Sequence, residues 1–292
     1  KQHAGELTVK NSVFIDNSRN SAGASGTSTS AAEGGAIYSQ QKNGIFTVSD
    51  SYFINNHAQA NTASTSSYAQ ARGGAIFNSA GSLDIDGSYF GGNYAIGSKA
   101  YGGAIYADSY TPEIDNAYFE HTFDKTVFEN NSATGTVSQA QGGALYLMND
   151  TTIKDALFIS NKTVLNPETV STADITSGGG AISQTNNTTG VVSSNPNRKV
   201  EATLNISNTV FKDNSVQFKD SNTEITKTAN AQGGAIRLAN AETNIKNTLF
   251  EGNSVINENT KADVVSSGGA IAAAPEVNDR RSVYNFENTT FN

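Results

Sequence analysis

Side chains able to do chemistry are few and scattered in this 292-residue sequence. A close pair of carboxylates is Asp84 and Asp86, in Leu83-Asp84-Ile85-Asp86-Gly87. Glycoside hydrolysis needs two such groups, one as acid and one as base or nucleophile. Alternation with Leu83 and Ile85 places both on the outer face of a strand, where they read as solvated surface. His3, His57 and His121 each stand without a partner at metal-ligand spacing. His57 opens a polar segment and is expected to be exposed. The chain has no Cys, which excludes disulfides and thiolate metal sites. A Gly-Gly-x-Gly-x-Asp calcium repeat is absent. No catalytic, metal or cofactor-binding residue is therefore assigned, and the chain is not expected to be an enzyme.

What the sequence has instead is a repeat. Gly-Gly-Ala-Ile, or Leu in its last place, occurs at 34–37, 73–76, 102–105, 142–145, 179–182, 233–236 and 268–271. Phe-x-x-Asn alternates with it, at Phe14/Asn17, Phe53/Asn56, Phe90/Asn93, Phe128/Asn131, Phe158/Asn161, Phe211/Asn214 and Phe250/Asn253, and an eighth copy opens at Phe291. A period of this size, about 39 residues on average between Phe14 and Phe250, must be read as a stacked repeat before anything else.

Each copy reads as short strands. Apolar residues fall seven and five places before the Phe, as in Phe46/Val48, Leu83/Ile85 and Leu204/Ile206, and a spacing of two marks a strand with one face inward. Asn, Asp or Gly stands three places before the Phe at 11, 50, 87, 155, 208, 247 and 288, which predicts a tight turn with left-handed backbone. A second strand carries the Phe, and Gly-Gly-Ala-Ile opens a third. Between the Phe-x-x-Asn and the Gly-Gly lies a variable polar stretch (18–33, 57–72, 94–101, 215–232), read as loop. Segments 109–120 and 183–199 are read as projecting insertions, and these loops together with 215–232, rather than the ladders, are expected to bind a ligand. No stretch holds a helical period.

These observations predict an all-β right-handed parallel β-helix, about seven to eight coils with one coil per repeat, as a single domain over 1–292. At ~4.8 Å between stacked strands the rod is roughly 35–40 Å long. In such a stack Phe14, Phe53, Phe90, Phe128, Phe158, Phe211, Phe250 and Phe291 form an internal aromatic ladder, and Asn17, Asn56, Asn93, Asn131, Asn161, Asn214 and Asn253 a hydrogen-bonded corner ladder. The residue after the Ile/Leu points outward. It is Tyr38, Phe77, Tyr106 and Tyr146 in four successive coils. Exposed, that row would offer a surface to a sugar ring or a protein; the preferred expectation is that the upstream segments fold over it.

Bulk properties narrow the partners. Net charge is −8, and no Lys/Arg cluster exceeds Arg280-Arg281, which argues against nucleic acid. Apolar residues make up 36%, short of a globular domain and suited to a thin, elongated core. No apolar run approaches the ~18 residues of a membrane helix. The first residue already lies within a repeat and the last within a motif, so the chain is expected to be a fragment whose caps and targeting segments lie elsewhere.

The alternating motifs resemble those of the polymorphic membrane proteins of chlamydiae. Phe128-Glu129-Asn130-Asn131-Ser132-Ala133, followed by Gly142-Gly143-Ala144-Leu145-Tyr146, is similar to that family's pattern, and the resemblance covers almost the whole chain. It implies an autotransporter passenger and adhesin, extracellular on a bacterial surface, held to the outer membrane through a C-terminal barrel not contained here. The implied partner is a host-cell or neighbouring-cell protein or glycan, with self-association a further expectation. The chain also resembles pectin-lyase-like β-helices. Their hydrolase signatures (Asp-Asp, Gly-His-Gly, Arg-x-Lys) are missing, which leaves a polysaccharide-degrading enzyme as the rival reading and a structural stalk or filament subunit as a third.

Overall fold

The computed structural model describes residues 5–22, 30–61, 69–108, 119–167, 175–185, 202–219, 228–239, 242–259, 263–273 and 283–292. The described residues form three sheets, of 13, 8 and 12 strands, with every pairing parallel and between successive coils. This is a parallel β-helix. The eight-stranded sheet takes one strand from each coil in chain order, which counts the coils directly.

Register follows the motif. Phe90 lies between Phe53 and Phe128, and Phe158 between Phe128 and Phe211. The ladder rings stack with centroids 4.7 to 5.1 Å apart, nearly the spacing of the strands themselves. The six rings from Phe53 to Phe250 are buried, whereas Phe14 and Phe291 end the row and are partly open. Leu83, Ile85, Ile105, Leu145, Ile153 and Ile206 complete the same core.

The Asn ladder closes the corner. Asn131 Oδ1 accepts the backbone N–H and the side-chain Nδ2 of Asn93, each at 3.0 Å. Its Nδ2 donates to Phe90 O and to Asn161 Oδ1, each at 2.9 Å. All four hydrogen-bonding positions of a fully buried amide are thus used. The residue just before each Asn has left-handed backbone at Asp16, Asn55, Gly92, Asn130, Ser160, Asp213 and Gly252, a second turn that the motif leaves unmarked. The first turn falls at the expected places, and at Lys125 too. There a residue that seldom adopts φ > 0 sits beside Asp124 and Asp86, at 3.4 and 3.8 Å.

Gly-Gly is a corner. Gly102 has φ +62°, and Gly103 has no room for a side chain: a Cβ would lie 2.1 Å from Gly143 O and 2.5 Å from Ser132 O.

The described parts of the variable stretches are largely strands, which corrects the loop expectation there; 23–29, 62–68 and 220–227 lie outside the described residues. Residues such as His57–Asn61 run out from the Asn corner, Ala69–Arg72 run back to the Gly-Gly, and both join the 12-stranded sheet. In the shortest copy the two merge as Tyr94–Tyr101. Ser215–Phe218 and Ala229–Gln232 do the same in the 215–232 stretch. Between outgoing and returning strands lies a second, narrow core of Ala32, Ala58, Ala60, Ala69, Ala71, Ala95, Ala100 and Ala133. In later coils Leu165, Ile175 and Phe218 take that place. Small inward residues let the strands approach closely, and they also hide the period of two.

Two further corrections concern the insertions. Ser183, Gln184 and Thr185 are buried, the first two on a strand, so the projection after the Gly-Gly strand cannot begin at 183. Of 109–120, only Phe119 and Glu120 are described: Phe119 is buried and Glu120 opens a strand. The remainder of both segments, 109–118 and 186–199, lies outside the described residues, as do His3 and Arg280-Arg281.

His121 is a core residue. It occupies an inward position in register with Leu83 and Thr151, and is fully buried. Nδ1 accepts the Leu83 N–H at 3.2 Å, and Nε2 lies 3.1 Å from the Asn149 side-chain amide. Burial holds its pKa down at about 4.

Two outcomes are expected. Phe158→Ala should cost about 3–5 kcal/mol in urea unfolding, while its outward neighbour Leu157→Ala should stay within about 1 kcal/mol; equal costs would mean that the Phe ladder is not the core. Below pH 6.5 the unfolded chain takes up a proton at His121 that the native chain refuses down to about 4. Stability should therefore fall by about 3 kcal/mol across that window, and His121→Leu should flatten that part of the pH–stability curve.

Candidate binding surfaces

Tyr38, Phe77, Tyr106 and Tyr146 stack in one outward row on the 13-stranded sheet, at 5.0, 5.3 and 5.1 Å. The row is mostly covered. Tyr38 is 52% exposed, but Phe77, Tyr106 and Tyr146 are buried. Tyr101, at the end of a returning strand, packs on Tyr106 and Tyr146 at 6.2 and 5.0 Å, and Met148 joins them. The Arg72 guanidinium lies 5.5 Å from the Tyr106 ring centre and pairs with Glu33 at 2.8 Å. Burial alone would lower the Arg72 pKa, but Tyr106, Glu33 and Asp108 outweigh it and the pKa is raised. Burial, then nearby Asp108, raises that of Tyr106 well above an ordinary phenol. Three of the four residues of the possible ligand row are therefore covered, and Tyr38 alone is open. Three of its members seal the returning strands against the sheet, and the hydroxyl of Tyr106 stays protonated.

Asp84 and Asp86 face solvent on the outer side of their strand; Asp84 accepts a hydrogen bond from the Thr122 hydroxyl and Asp86 meets Lys125. His57 is half-buried and stacked on Tyr94 at 4.6 Å, not freely exposed. Among the described residues no group of three or more His, Asp or Glu could hold a metal ion. Depressions of about 630 and 440 Å³ lie at the two ends of the stack, the first lined by Phe250, Phe286 and Phe291, the second by Arg19, Glu33 and Tyr38. Both are ends of ladders, and neither is a cleft in the wall.

A different surface stands out, one that the repeated motifs do not mark. On the eight-stranded sheet the residue before each Phe points outward. Val13, Tyr52, Tyr89, Val127, Leu157, Val210, Leu249 and Thr290 pair in register from coil to coil. The residue after each Phe forms a parallel row that starts with Ile15 and Ile54 and turns charged at Glu129, Lys212 and Glu251. Val13, Ile15, Tyr52 and Leu157 are 59%, 52%, 52% and 38% exposed. The corresponding outer row of the 13-stranded sheet is polar throughout: Thr8, Thr47, Asp84, Thr122, Thr152, Asn205, Asn244 and Asn285. The exposed apolar stripe is bordered by left-handed turn residues, among them Asp50, Asn55, Asn130 and Asp155. A polar-rimmed apolar patch is what an interaction surface looks like. The signal in the sequence was the position before the Phe, apolar in seven of eight copies where a solvent face should be polar.

Residues 125–147 match the family described as the Chlamydia polymorphic membrane protein (Chlamydia_PMP) repeat. No curated protein and no solved structure is significantly similar to the chain. The matched stretch runs from the turn at Lys125 through Phe128 and the Asn131 corner to the Gly142-Gly143 corner and its strand, which is most of one coil. Residues 125–147 are thus a polymorphic membrane protein-type repeat.

Proposed function

We propose that the chain is a surface-exposed, passenger-type adhesin whose binding face is the solvent side of the eight-stranded sheet. The observation that carries this is the outward apolar row from Val13 and Ile15 through Tyr52 to Leu157, exposed at these four residues and half-buried at Tyr89 and Val127 between them. The polymorphic membrane protein repeat supports a passenger on the bacterial outer surface. A β-helix suits that work, because its strength comes from contacts between adjacent coils while its outward positions are free to vary. The partner is a protein or glycan on a host or neighbouring cell. With net charge −8, nucleic acid is disfavoured. The activity is binding without catalysis, in keeping with the solvent-facing place of Asp84 and Asp86 and the full burial of His121.

Microspheres coated with the chain should adhere to cultured epithelial cells. The triple variant Val13→Ser, Tyr52→Ser, Leu157→Ser should lower adhesion by about tenfold or more with an unchanged thermal midpoint, since all three side chains face solvent. Full adhesion by the folded variant would contradict the assignment of this face.

A further inference from the structure

Within this stripe one tyrosine is held in a way that solvent exposure does not explain. In the Phe90 coil the position after the Phe is Gly91, where neighbouring strands carry Ile54 and Glu129. The Tyr89 ring lies over that glycine: a Cβ on Gly91 would sit 2.4 Å from Tyr89 Cε1 and 2.5 Å from its hydroxyl oxygen. The hydroxyl donates to Glu129 Oε2 at 2.9 Å, one coil further on. Half-buried, with a pKa raised by burial and by Glu129, the side chain is fixed at both ends. Tyr52, one coil earlier, stands 6.1 Å away at 42° and is 52% exposed. Gly91 is outside the left-handed backbone region, so conformation does not demand a glycine there.

Resting on the docking face assigned above, we propose that Tyr52 and Tyr89 form a preorganised stacking platform for a neutral pyranose ring of a glycan. A ring laid against a sheet presents its face, and the apolar C–H face of a hexopyranose packs on such a surface. Rigidity fixed in advance spares the ordering cost of binding. Hydroxyl groups around the sugar need acceptors and amides at its edge. Glu129 supplies a carboxylate there, and Asn55 and Asn130 expose amides at the adjoining turn. The charge around the platform selects against anionic sugars: Glu129 is beside the ring, Asp50 and Asp86 lie exposed at the other turn, and the nearby Lys125 is engaged by Asp86 and Asp124. Uronate or sulfate groups would meet repulsion.

The test is binding of the whole 292-residue chain to an immobilised array of neutral, sialylated and sulfated glycans, with thermal midpoints recorded for every variant. Neutral hexose or N-acetylhexosamine glycans should be retained. Tyr89→Ala should reduce retention by about tenfold or more, and Gly91→Ala should do likewise by tilting the ring away, with the midpoints of both variants still above the assay temperature. Tyr89→Phe keeps the ring and should stay within about threefold. Retention of anionic glycans alone, or neutral binding indifferent to Gly91→Ala, overturns the proposal. So does an array with no neutral binding. If in that case the Val13/Tyr52/Leu157 variant has still lost cell adhesion, the docking face stands with a protein partner and only the glycan assignment falls.

Discussion

An asparagine at a corner can use all of its hydrogen-bonding capacity only if another asparagine sits directly above and below it. Asn131 meets that condition through Asn93 and Asn161, and so do its counterparts along the buried part of the ladder. The consequence reaches well beyond the corner. A fixed Asn-to-Asn step fixes the coil spacing, and a fixed spacing places each Phe on the last at 4.7 to 5.1 Å. A coil that slipped by one residue would strand a buried amide and turn a phenylalanine to solvent. Length can vary only where the ladder is indifferent to it, and that is why 30 residues separate Asn131 from Asn161 while 53 separate Asn161 from Asn214.

What faces inward in this chain was legible because inward residues are large and repeat. The Phe ladder, the aliphatic pairs and the first turn follow from residue type and spacing alone. The outgoing and returning strands did not show themselves, since alanine serves both as filler between two close strands and as an ordinary loop residue. His121 escaped for a related reason: it occupies a position where the repeat elsewhere has Leu83 or Leu204, and one substitution in a ladder looks like noise in a sequence.

The candidate surface was the harder part. The outward aromatics after the Gly-Gly motif drew attention because they recur. Recurrence arose there from a seam, where Tyr101, Arg72 and Glu33 close over Phe77, Tyr106 and Tyr146. The stripe before and after the Phe is inconspicuous in the sequence because Val, Leu and Ile in a strand are expected anywhere. It becomes informative only once the register shows that the Phe points in and its neighbours must point out.

Inward ladders that hold the rod and an outward stripe that meets the partner make up the central claim. Covalent footprinting of tyrosines, on the chain free and bound to cells, tests it most directly. Tyr52 and Tyr89 should lose reactivity on binding, while Tyr284, which packs against the core at the far end of the rod, keeps its own. Unchanged Tyr52 and Tyr89 in the bound chain, with protection confined to Tyr110 and Tyr118 in the 109–118 segment, would place the partner elsewhere and contradict the account.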